Sequence, residues 1–129
     1  MTIQRVSSGA PWERQVGYRR AVRSGSFVAV AGTTAVDAEG KVVGVGDAYA
    51  QAQHCLSIIR AALEEAGADI SDVIRTRIFL VNADDWPEVG RAHAEVFAEH
   101  PPASTMLEAG RLINPELLVE IEADAIISS

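Results

Sequence analysis

The sequence predicts an α+β or α/β domain in which two helices cover one face of a sheet. Segments of alternating apolar and polar residues, and segments with apolar residues at helical spacing, follow in the order strand, strand, strand, helix, strand, helix, strand, strand. The chain has 129 residues, which is enough for one core, and no repeat or linker divides it. Residues 1–129 are therefore expected to form a single domain with about six strands.

The first part of the chain is predicted to contain three strands. Residues 2–6 are predicted to form an edge strand, and residues 7–11, which are rich in turn formers, a loop. Residues 17–23 and 27–32 flank Ser24-Gly25-Ser26 and are predicted to form a hairpin.

Two later stretches carry the signals of helices. Asp47 can cap a helix over residues 48–66, and Gly67 is suited to end it. A second helix starts around residues 84–88, where carboxylates and a proline favour its first turn, and stops before Pro101-Pro102. Its inner stripe is predicted to contain Trp86, Val89, His93, Val96 and Phe97.

The remaining strands are predicted at residues 73–81 and on either side of the Asn114-Pro115 break. In the last strand Glu120, Glu122 and Asp124 alternate, so the three carboxylates face one side. Neighbouring carboxylates raise one another's pKa where they are shielded from water, which suits a general acid or base. The alternative is a solvated polar row.

The sheet face turned away from the helices is predicted to pack against other subunits. It carries apolar residues from the strand at 27–32 and Phe79 from the strand at 73–81. A face exposed to solvent should carry a polar row instead.

The composition argues against several classes of function. A net charge of −7, with Lys41 the only lysine, disfavours a nucleic-acid binder. There is no apolar run of membrane-spanning length and no apolar core of a secretory signal, so a cytoplasmic protein without membrane partners is expected. The histidines and Cys55 form no metal-binding pattern.

Several polar side chains are candidates for binding a ligand. Guanidinium groups form paired hydrogen bonds with carboxylates, which makes Arg20 beside Tyr18, and Arg77 beside Arg75, candidates for an anion site. The alternative is that these are surface arginines. Ser104 lacks the Gly-x-Ser-x-Gly pattern of an activated nucleophile.

A series of short segments, in order along the domain, resembles the RidA (YjgF/YER057c/UK114) family. The resemblance extends from about residue 17 to residue 126. The segments are Gly17-Tyr18, Phe27-Val28-Ala29-Val30-Ala31-Gly32, Gly46-Asp47, Ala66-Gly67-Ala68, His100-Pro101-Pro102-Ala103 and Val119-Glu120-Ile121-Glu122-Ala123.

This resemblance implies a chorismate-mutase-like fold and a homotrimer. The sheets would surround a central barrel, with two helices per subunit outside and ligand clefts between subunits. Active members of the family hydrolyse reactive enamines and imines, such as 2-aminoacrylate, to a 2-keto acid and ammonia. No metal and no organic cofactor is implied.

By position, Tyr18 matches the family's cleft tyrosine, and Glu120 matches the glutamate thought to position the attacking water. The arginine that binds the substrate carboxylate normally follows Pro-Ala, where this chain has Ser104. Serine offers one neutral hydrogen bond in place of charge-assisted bonds worth roughly 1.5–3 kcal/mol each. Ordinary 2-aminoacrylate deaminase activity is therefore expected to be weak or absent.

The expected function is to bind a small metabolite in clefts between subunits and to hydrolyse an imine, an enamine or a related C–N bond, with Glu120 as the catalytic residue. The alternative is a non-enzymatic ligand sensor or chaperone-like interaction protein. Gly90 stands where the family often has asparagine, and Met106 where it has a cleft cysteine. The predicted ligand-binding residues are Tyr18, Ser104, Thr105, Met106, Gly90, Arg77 and Arg20, with the two arginines as candidate replacements for the missing one.

Overall fold

The computed structural model describes residues 2–128, which form one mixed sheet with helices packed on one face. The strand order is β1-β2-β3-β6-β4-β5, in which β4 and β5 are parallel and the other neighbours antiparallel. The predicted α+β class and the six strands are confirmed. The strands are β1 (Ile3–Val6), β2 (Ala21–Ser24), β3 (Phe27–Thr34), β4 (Val73–Leu80), β5 (Ala103–Glu108) and β6 (Val119–Ile126).

Two long helices, α2 (Ala48–Glu65) and α3 (Trp86–Phe97), lie in the predicted places. The Asp47 carboxylate accepts a hydrogen bond from the backbone N–H of Ala50 and caps α2. Gly67 follows that helix with a φ of +89°, a backbone conformation that glycine adopts without strain.

The structure contains a third helix, α1 (Pro11–Val16), that the sequence analysis does not predict. Proline in its first turn and Gly17, with a φ of +90°, mark its ends. The predicted strand over residues 17–23 is correspondingly wrong for residues 17–20, because β2 begins at Ala21. A helix of six residues is too short to show a periodic apolar stripe, and Trp12 and Val16 are both exposed.

Alternation along β6 separates the protein core from the open sheet face. Val119, Ile121, Ala123 and Ala125 are buried beneath the helices, where Ile59, Leu63, Val89 and Phe97 are also buried. The prediction that Trp86 joins this inner stripe is wrong, because its side chain is 63% exposed at the start of α3.

The opposite face of the sheet is uncovered within one chain. It combines the carboxylates of β6 and the arginines of β4 with apolar side chains, among which Phe27 and Ile126 pair directly and are 42% and 44% exposed. The packing of this face against other subunits stays a prediction, and these exposed residues favour it.

Candidate functional site

A bulge in β3 shapes the open face beside Glu120. The pairing of β3 with β6 shifts register between Val30 and Thr33. The buried guanidinium of Arg20 fills the irregularity, because its Nη1 donates to the backbone oxygen of Gly32 at 2.7 Å and to Oγ1 of Thr33 at 2.8 Å. Arg20 therefore stabilises backbone carbonyls that the shifted register leaves near the site.

Glu120 projects from β6 into the space left by the missing side chain of Gly32. A Cβ atom at Gly32 would collide with Oε2 of Glu120, so glycine is required for this position of the carboxylate. Burial raises the pKa of Glu120, the neighbouring Glu122 raises it further, and Arg20 opposes both effects. A half-buried carboxyl group with a raised pKa can accept and return a proton.

Arg77 engages the other two carboxylates of this row. Its Nη1 lies 3.1 Å from Oε1 of Glu122 and 3.7 Å from Oδ2 of Asp124. Within residues 2–128 these two ion pairs leave Glu120 outside the network. One nitrogen of the Arg77 guanidinium, Nη1, is therefore occupied by carboxylates of its own chain.

Tyr18 borders an open cleft of about 680 Å³ on the same sheet face. Glu122 and Asp124 line this cleft, whereas Glu120 is not one of its lining residues. The guanidinium of Arg20 lies over the Tyr18 ring, 5.6 Å from its centroid, and Nη2 is 3.5 Å from the phenol oxygen. Tyr18, Arg20 and the carboxylate row thus occupy one region.

The predicted residues of β5 divide between the two faces of the sheet. Thr105 pairs in register with Arg77 and shares the open face. Ser104 and Met106 face the helices, and Met106 packs against the core. Gly90 lies on α3, on the same side of the sheet. One chain therefore presents Glu120 and Ser104 on opposite faces of its sheet.

Ser104 is linked through Thr76 to His93, and the sequence analysis assigns neither Thr76 nor His93 to a site. Oγ1 of Thr76 is 2.8 Å from Oγ of Ser104 and 2.9 Å from Nε2 of His93. Burial lowers the pKa of His93, which favours the neutral imidazole. The parallel pairing of β4 with β5 brings the two hydroxyls together. The sequence does not reveal this register, so it gave no indication of the contact.

Three further observations complete the description of residues 2–128. Burial raises the pKa of the Cys55 thiol to about 12, so this cysteine packs in the core and is unsuited to be a nucleophile. Among residues 2–128, no three side chains of His, Cys, Asp or Glu cluster in a way that could hold a metal ion. In the same residues, no helix is both long and apolar enough to cross a membrane.

Comparison with known proteins identifies close relatives. The family model described as endoribonuclease L-PSP matches residues 10–127. An uncharacterised protein of Streptomyces coelicolor is 41% identical over 123 residues, covering 95% of this chain and 91% of the relative. The 3-aminoacrylate deaminase RutC of Acinetobacter baylyi is 37% identical over 108 residues, covering 84% and 85% respectively.

Solved structures share the fold. Rv2704 of Mycobacterium tuberculosis, described as a member of the YjgF/YER057c/UK114 family, superposes with a TM-score of 0.89 at 45% identity. The superposition covers 98% of this chain and all of the other.

Proposed function

This chain belongs to the endoribonuclease L-PSP family, also called the YjgF/RidA family, and from that premise we propose that it hydrolyses an imine, an enamine or a related carbon–nitrogen bond. The observation that carries the proposal is the carboxyl group of Glu120, half-buried against Gly32 with a raised pKa. A relative named for deaminating 3-aminoacrylate supports the reaction class.

In the proposed reaction, Glu120 orients the attacking water by accepting one of its hydrogen bonds. The water oxygen forms a bond to the imine carbon while its proton passes through Glu120 to the nitrogen, which gives a carbinolamine. The carbinolamine then breaks its C–N bond, and a second proton moves from oxygen to nitrogen. The products are a carbonyl compound and ammonia, and an enamine enters the same sequence after it becomes an imine.

The proposed site is completed by a second copy of the chain. Glu120 and Tyr18 lie on the open face, whereas Ser104 lies at the sheet edge facing the helices, so one small molecule cannot touch both sets within one chain. Packing of the β5 edge of one subunit against the open face of another would bring the two sets together and cover the apolar residues of that face. A homotrimer is the proposed assembly.

We propose that the part of the substrate next to Ser104 carries no charge, whereas deaminases of this family would bind a carboxylate at that place. Ser104 carries no charge, Arg77 is paired with Glu122 and Asp124, and Nη1 of Arg20 is engaged by backbone oxygens. These contacts leave little opportunity for either arginine to form a fork with a substrate carboxylate.

Replacing Ser104 by arginine is expected to raise kcat/KM for 2-imino acids about 100-fold, because two charge-assisted hydrogen bonds become available. The assay follows ammonia release above the spontaneous rate. A flavin-dependent amino acid oxidase supplies the 2-imino acid, and a flavin-dependent amine oxidase supplies a neutral aldimine.

The same assay tests the proposed function. The unmodified protein is expected to accelerate hydrolysis of the aldimine. If it accelerates neither substrate, and the Ser104→Arg variant is equally inactive, the hydrolase proposal fails and a non-enzymatic role is favoured.

A further inference from the structure

A chain of hydrogen bonds runs from the protein interior to the exposed edge of the sheet. Thr76 on β4 is fully buried and lies beside Ser104 in the pairing of β4 with β5. Its hydroxyl oxygen is within hydrogen-bond distance of Ser104 Oγ, at 2.8 Å, and of His93 Nε2, at 2.9 Å. Ser104 is exposed, so the outermost hydroxyl of this hydrogen-bond series is accessible to a ligand.

The number of hydrogens on the three side chains allows two arrangements of these hydrogen bonds. A hydroxyl carries one hydrogen, so Thr76 donates to one neighbour and accepts from the other. When His93 carries its hydrogen on Nε2, it donates to Thr76, Thr76 donates to Ser104, and the hydrogen of Ser104 points outward. When His93 carries its hydrogen on Nδ1, Ser104 donates to Thr76 and presents its lone pairs outward.

We propose that His93 acts through Thr76 as a positioning residue that sets whether Ser104 donates or accepts a hydrogen bond, and that Ser104 thereby binds a neutral imine, carbonyl or amide group of the substrate. This inference rests on the proposed function for its reaction and adds the substrate class. A neutral group of this kind offers a hydrogen-bond donor, an acceptor or both. The hydroxyl of Ser104 can accept from the donor or donate to the acceptor. A carboxylate offers acceptors only and gains most from a charged fork, which serine lacks.

The surroundings of His93 favour the neutral ring that both arrangements require. Burial holds the pKa of His93 below 6.5. Other charged residues of α3 and β5 contact different groups, since Arg91 and Glu95 on α3 contact Tyr49, and Glu108 on β5 accepts a hydrogen bond from the backbone N–H of Ala83. An imidazolium could only donate to Thr76, so acidification would restrict Ser104 to donating.

The hydrogen-bond chain can be tested directly by ¹⁵N NMR of the histidine rings, with His93→Gln used for assignment. Thr76→Val keeps the side-chain shape and removes the hydroxyl. It is expected to change the tautomer balance of His93 and to lower its pKa further, because the imidazolium loses the oxygen that accepts from Nε2–H. An unchanged tautomer balance and pKa in Thr76→Val would overturn the inference.

The effect on the substrate is measured with the neutral aldimine. Thr76→Val is expected to lower kcat/KM about 10-fold, the value of one lost hydrogen bond. His93→Gln keeps a hydrogen-bond donor and an acceptor without a titrating group, so it should retain turnover and lose only the part of the pH profile that the titration of His93 causes. Ser57→Ala removes an exposed hydroxyl of α2 and is the matched control, expected to have no effect.

Different results would contradict the positioning role of His93 and the hydrolase function. Equal turnover of Thr76→Val and the unmodified protein, or an unchanged pH profile in His93→Gln, would overturn the positioning role while the hydrolase proposal stands. If neither the unmodified protein nor Ser104→Arg hydrolyses either imine, the proposed function fails and the substrate class fails with it. The NMR comparison still decides whether the hydroxyl of Thr76 is hydrogen-bonded to His93.

Discussion

Replacing Glu120 by glutamine is expected to lower ammonia release from the aldimine about 100-fold or more, because general acid–base groups contribute roughly 10²–10⁴-fold to such reactions. The fold is expected to survive the substitution. The pKa of Glu120 is raised above 4.5 in the folded chain. The stabilising contribution of its carboxyl group is therefore present below pH 4.5 and is lost as the pH rises through the pKa of the folded chain. At pH 7 the glutamine variant should therefore melt at a slightly higher temperature than the unmodified protein.

Gly32→Ala provides an independent route to the same result. Its Cβ would displace the flexible end of the Glu120 side chain, while the backbone of Gly32 is not in the left-handed region. Turnover should fall with little loss of stability. Gly110→Ala is the matched control, because a Cβ there meets no atom within 4 Å. Full turnover in both Glu120→Gln and Gly32→Ala would remove Glu120 from the mechanism.

Replacing Gln51 by leucine is expected to reduce the free energy of unfolding by about 2–4 kcal/mol, since three partly buried backbone hydrogen bonds are lost at once. Gln51 is fully buried on α2. Its Nε2 donates to the backbone oxygens of Gly44 and Glu116, and its Oε1 accepts from the backbone N–H of Leu118. One amide thus joins the helix to the loop before it and to the segment leading into β6.

Urea unfolding measures this effect, and leucine preserves most of the buried volume so that the polar contribution dominates. Gln53→Leu is the control on the same helix, because Gln53 is exposed and donates to the Tyr49 hydroxyl alone among the described contacts. Its effect should stay within about 0.5 kcal/mol. Equal free energies of unfolding for the two variants would show that the hydrogen bonds of the Gln51 amide do not stabilise the fold.

The sequence predicted those features that depend on local spacing. Alternation along β6 correctly separates Glu120, Glu122 and Asp124 from the buried Ile121 and Ala123, because side chains on a strand alternate between faces whatever the strand pairs with. The α2 and α3 helices follow in the same way from apolar spacing, caps and prolines.

Features that depend on pairing between distant segments could not be predicted in the same way. The bulge that sets Gly32 against Glu120 arises from the register of β3 with β6, and the contact of Thr76 with Ser104 arises from the register of β4 with β5. The apolar spacing of α3 correctly places His93 next to the core but does not reveal its polar partner. The division of Ser104 and Glu120 between opposite faces likewise required the folded sheet.

The most direct test of the central claim is complementation between two inactive chains. Glu120→Gln and Ser104→Phe, each inactive alone, are mixed in equal amounts, unfolded and refolded together, and assayed for ammonia release from the aldimine. If each site takes Glu120 from one chain and Ser104 from another, about a quarter of the sites regain both residues, and the mixture recovers about a quarter of the unmodified activity. A mixture as inactive as its two components would contradict a site shared between copies of the chain.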